Sequence, residues 1–156
     1  MAVLFRVFII TLALWTGAGV YTSIAEHVGW YSDPVGWVRN SKPQAGAVNP
    51  WPLMTAALGL VTLITLLGMF AYRGDGRRTA FATLAGTIVV LAATGLYFVP
   101  QLMLIFSRTE SLNDAQLIAA SRAWVIWNAV RIVFLLGLLY YGLVALSRMA
   151  APGTRT

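Results

Sequence analysis

The chain has no cysteine. That excludes disulfides, thiolate zinc sites, iron–sulfur clusters and cysteine nucleophiles, and leaves the redox compartment unreadable. It has a single histidine, His27, so no metal site can be built from several imidazoles; one axial haem ligand is the most it offers. Charge is also scarce. Five acids and eleven bases make up 10% of 156 residues, where a soluble domain carries about a quarter. So few charges cannot wet the surface of a globule. The composition is instead 59% apolar, with a mean hydropathy of +0.76. This is the composition of an integral membrane protein, whose first partner is the lipid bilayer. A net charge of +6 would suggest a nucleic-acid partner in a soluble protein. Here the bases sit at the ends of apolar runs, where membrane topology accounts for them, and no nucleic-acid partner is expected.

Four apolar runs, at about 3–24, 53–72, 79–104 and 123–147, have the ~20 residues that a helix needs to cross a bilayer. The alternation that barrel strands require is absent, so the expected fold is all-α: one domain over 1–156, an antiparallel four-helix bundle. The first run follows Arg6 but is too long for a signal segment and lacks a clean small-x-small step, so it reads as an uncleaved helix. Arg6, Arg73, Arg77, Arg78, Arg148 and Arg155 share one side with Asp75 as the only acid. Arg39, Lys42, Arg108 and Arg122 on the other side are balanced by Glu26, Asp33, Glu110 and Asp114. Both termini are therefore expected in the cytoplasm, with 25–52 as a long extracytoplasmic loop. Ser111 and Asp114 have the spacing of a helix cap, so the fourth helix is expected to start before its span, near Leu112. There is no internal repeat, which argues against an alternating carrier; a homo-oligomer would be the way round that limit.

Polar groups at membrane depth are costly and mark function. Arg131 lies about 12 Å into the fourth span. With Trp124, Trp127 and Asn128 it forms an i, i+3, i+4, i+7 set on one helix face. Glu26 and His27 follow the first span, Asn49 precedes the second in Asn49-Pro50-Trp51-Pro52, and Tyr97, Pro100 and Gln101 close the third. Every helix thus brings polar or aromatic groups to the same end of the bundle. Glu26, as the carboxylate tethered nearest, is expected to pair with Arg131. Trp30, Tyr31, Trp37 and Trp51 read as an interfacial belt, within a loop long enough to act as a lid.

These residues resemble those of a known family. Gly19-Val20-Tyr21 through Ala25-Glu26-His27, Asn49-Pro50, Val99-Pro100-Gln101-Leu102 and above all Trp124-Val125-Ile126-Trp127-Asn128-Ala129-Val130-Arg131 are similar to motifs of small four-helix membrane proteins grouped with fungal anthrone oxygenases. Most bacterial members of that group have no assigned activity. The resemblance follows the whole chain in span order; one departure is Phe98-Val99 before Pro100, where members carry an asparagine. It implies a multi-pass protein of a bacterial inner (plasma) membrane. It also implies an oxygenase-like enzyme, or another proton-abstracting enzyme such as an isomerase, acting on a hydrophobic molecule, aromatic or lipid-like, by proton abstraction and enolate stabilisation, with no obligatory cofactor or metal. The catalytic groups would then be His27, Glu26, Asn128 and Arg131, and the substrate would lie against Trp124, Trp127, Tyr97, Asn49 and Trp30. The alternative is a non-catalytic bundle that binds a lipid, quinone or other small molecule, or an accessory subunit of a membrane complex.

Overall fold

A computed structural model describes residues 1–40, 51–108 and 111–150. The described residues form helices and no strand: α1 (Ala2–Ser32), α2 (Pro34–Asn40), α3 (Trp51–Ala71), α4 (Arg77–Ser107) and α5 (Asp114–Ala150). All except the short α2 are long and apolar enough to cross a bilayer. α1 and α4 each pack against both α3 and α5, and α2 lies against α5 and the end of α1.

The boundaries follow local chemistry. α1 runs past residue 24 to Ser32 because nothing breaks a helix before Pro34, whose ring excludes the helical conformation from the residue ahead of it. α3 opens at Trp51 with Pro52 in its first turn, where the missing N–H costs nothing. α4 begins after Gly76, held at φ +78°, a left-handed conformation that a side chain rarely adopts. α5 is capped differently from the spacing of Ser111 and Asp114. Asn113 and Gln116 form the reciprocal pair, Gln116 N–H donating to Asn113 Oδ1 at 2.9 Å and Asn113 N–H to Gln116 Oε1 at 3.2 Å. The Ser111 hydroxyl turns back to the Arg108 carbonyl instead.

α1 and α4 each contain a π-helical turn, Ser23–His27 and Thr94–Phe98. The second precedes Pro100, which removes one helical N–H and crowds the carbonyl four residues before it; a widened turn accommodates both. No such breaker marks the first.

Two apolar cores result. One joins Phe5, Phe8, Leu12 and Trp15 of α1 with Leu58, Met69, Leu84, Val90 and Leu135. The other joins Trp30, Val38, Phe98, Ile105, Leu117 and Trp124. In the first core the helices approach closely at Gly142. A methyl there would overlap Ile9 and press on Thr83 Cγ2 at 3.3 Å, whereas one at Gly137 would meet nothing within 4 Å. Gly137→Ala is expected to gain up to ~1 kcal/mol in helix propensity, and Gly142→Ala to fall below it because contact with Ile9 and Thr83 offsets the same gain. Unfolding of both in detergent checks this, and equal responses would contradict the close approach.

Candidate functional site

Between the two cores, α1, α4 and α5 each place polar side chains at one level. Asn128 is at the centre, 1% exposed. Its Nδ2 lies 3.2 Å from Ser23 Oγ and 3.1 Å from His27 Nδ1, both in the π turn of α1. Ser23 Oγ is in turn 3.2 Å from the same ring nitrogen. On its other side Asn128 Oδ1 accepts from Arg131 Nη2 at 2.5 Å. Arg131 Nη1 donates to Thr94 Oγ1 at 3.3 Å, in the π turn of α4, while the Thr94 hydroxyl donates to the Val90 carbonyl at 2.7 Å. The π turn of α1 therefore meets α5 at Asn128 and that of α4 meets it at Arg131, one helical turn apart. π turns inside α-helices recur at functional sites.

The guanidinium of Arg131 also faces two rings, Phe98 at 4.4 Å and Trp15 at 5.5 Å. Such contacts are worth ~2 kcal/mol or more when desolvated. Its Nε is buried with no hydrogen-bond partner. A central arginine costs ~2.5–3.5 kcal/mol to insert, and neutral oxygens with aromatic faces offset that cost here. The expected counter-ion does not do so. Glu26 is exposed, and among the described residues the one ion pair is Arg39 with Asp114, 2.6 Å apart on the outside. The reason is that α1 stays helical through residues 26 and 27. Neighbours on a helix point about 100° apart, so turning His27 inward turns Glu26 outward.

Aromatic rings close one side of the cluster. Trp124 Nε1 donates to the Phe98 carbonyl at 3.0 Å, and its ring stands edge-on to His27 at 5.1 Å. Trp30 lies 5.8 Å from His27 and 4.9 Å from Trp124, and stacks on Trp37 of α2 at 4.9 Å. α2 is held over this end by Arg39–Asp114, and the end of α1 by Arg122, which donates to the Tyr31 carbonyl at 3.4 Å and sits over its ring. An open groove of about 250 Å³ runs between α1 and α5, lined by Ser23, His27, Val28, Tyr31, Val125 and Ala129. It reaches the polar cluster at Ser23 and His27, with Asn128 and Arg131 behind them.

His27, Asn128, Arg131, Trp124 and Trp30 are thus brought together. Trp127 and Tyr97 are exposed, Tyr97 touching the cluster through the ring of Phe98 at 5.2 Å, Glu26 faces out, and Asn49 lies outside the described residues. Ser23, Thr94, Phe98 and Trp15 belong to the arrangement without having been singled out for it. Pro100 inside an apolar run was the available sign that α4 is distorted near Thr94. Among the described residues no three His, Cys, Asp or Glu side chains come together as a metal site would require. Compared with known proteins, the chain matches no family model, no curated protein and no solved structure.

Proposed function

We propose that this chain is a multi-pass protein of a bacterial inner membrane, an antiparallel up-down-up-down bundle with both termini in the cytoplasm. We propose further that it is an oxygenase-like enzyme for a flat hydrophobic molecule of the anthrone class. In that reaction the methylene carbon gives up its two hydrogens and takes one atom of molecular oxygen, and the other atom leaves as water. The step is initiated by loss of a carbon-bound proton to hydroxide or buffer base from solution, and the rate depends on how well the enolate oxygen is held.

The observation that carries this reading is the connected series Arg131–Asn128–His27, buried at one end and reaching an open groove of about 250 Å³ at the other. It brings the influence of a fixed cation to the groove, where preorganised donors can hold a developing negative charge. A second reading, binding without turnover, is favoured by one feature: among the described residues no carboxylate joins the cluster.

The purified protein in aerated detergent, given an anthrone, is expected to form the quinone faster than the protein-free solution. Asn128→Leu should lose about tenfold of that acceleration, ~1.4 kcal/mol. No acceleration, with the quinone still bound at equilibrium, would replace the enzyme reading by the binding one. Neither turnover nor binding would remove both.

A further inference from the structure

We propose that His27 serves as a hydrogen-bond donor through Nε2–H, so that the molecule taken at the groove presents an acceptor oxygen, a carbonyl, quinone or enolate. The ligand half of this rests on the reading of the groove as a binding site. The tautomer is a property of the chain alone.

A guanidinium only donates. Arg131 Nη2 at 2.5 Å from the Asn128 side-chain oxygen therefore fixes the amide, with its oxygen toward Arg131 and its NH₂ toward α1. That NH₂ also only donates. It meets Ser23 Oγ at 3.2 Å and His27 Nδ1 at 3.1 Å. With an amide N–H 3.1 Å away, we assign Nδ1 as the bare nitrogen of the ring, and the Ser23 hydroxyl, 3.2 Å from it, is then free to donate to it as well. A proton on Nδ1 would be set against the N–H of Asn128. The ring proton is left on Nε2.

His27 lines the groove while its lone pair is committed to Asn128. What it offers a ligand is an N–H, backed through the amide by the charge of Arg131 and strengthened as linked hydrogen bonds polarise one another. An acceptor oxygen completes such a series; an amine or other donor does not. Within the oxygenase reading this makes His27 the group that holds the enolate oxygen, and not the base. Asn128 and Arg131 are positioning residues that set its tautomer.

The single histidine allows a direct test. The full chain labelled with ¹⁵N-histidine gives one pair of ring nitrogens, and Nε2 is expected to carry the proton. A protonated Nδ1 would overturn the proposal whatever the protein binds. Anthraquinone is the probe for the second half. It should shift the Nε2 resonance, His27→Gln should keep its affinity within about threefold because the amide N–H replaces Nε2–H, and His27→Ala should lose about tenfold. Equal losses in the two variants would overturn the donor role. Asn128→Asp keeps the shape and reverses the polarity, so it should move the proton to Nδ1 and weaken the quinone. A tautomer as expected with no response to the quinone would overturn the ligand class and the groove's role together, leaving the tautomer standing.

Discussion

Asn128→Leu is expected to destabilise the protein more than any other single change among its buried polar side chains, by about 3 kcal/mol. Asn128 is the one side chain that serves both neighbours, accepting from Arg131 and donating toward Ser23 and His27. A leucine strands Arg131 Nη2, while His27 Nδ1 keeps the Ser23 hydroxyl as its donor; an unsatisfied buried group costs about 1–3 kcal/mol, and a charged one lies at the top of that range or above it. Arg131→Met should behave differently. It leaves only Asn128 Oδ1 without a partner, since the Thr94 hydroxyl keeps its bond to the Val90 carbonyl, and it removes an insertion cost of ~2.5–3.5 kcal/mol. The arginine variant should therefore melt close to the parent. The double variant should lose less than Asn128→Leu alone, because no guanidinium remains to be stranded. Thermal unfolding in detergent, followed by circular dichroism, reads all three. A larger loss for Arg131→Met than for Asn128→Leu would mean that an anion holds Arg131, and would overturn the neutral network.

The same network shows what the sequence made legible. The apolar runs located the long helices because twenty uncharged residues have few alternatives to a helix of that length. The inward face of α5 was legible at Trp124, Asn128 and Arg131, because a regular helix obeys its own period. Trp127 was placed with them by spacing, yet it stands about 100° from Asn128 and falls outside the buried stripe. At Glu26 the error was in assuming that a buried charge requires an opposite charge. Threonine and asparagine oxygens and two ring faces meet that need without any carboxylate. Of the two π turns only that of α4 had a sign in the sequence, Pro100, whereas Ser23–His27 is marked by no breaker. Distortions of that kind are decided by packing, which periodicity alone does not encode.

Trp30→Ala is the second large effect expected, about 3–5 kcal/mol, the usual cost of truncating a buried aromatic side chain. Trp30 is 1% exposed and touches rings from three other helices: Trp37 of α2, Trp124 of α5 and Phe106 of α4. In a lipid-facing bundle the tails solvate apolar groups as well as leucine does, so close contact supplies the stability rather than escape from water. Removing the indole removes that contact for all three partners at once, and with it the main hold of α2 over His27. Trp30→Phe should cost far less, within about 1 kcal/mol of the parent. Its Nε1 is buried without a hydrogen-bond partner, so the substitution gives up no polar interaction and relieves a penalty of about 1–3 kcal/mol while losing part of the ring area. Trp124→Phe provides the contrast, because the Trp124 indole N–H donates to the Phe98 carbonyl; its loss should cost about 0.5–1.5 kcal/mol beyond the lost area. Unfolding temperatures in detergent should therefore rank Trp30→Phe above Trp124→Phe and Trp30→Ala lowest. If Trp30→Phe fell as far as Trp30→Ala, the indole N–H would have to be bonded, and ring contact would not be what holds this end of the bundle closed.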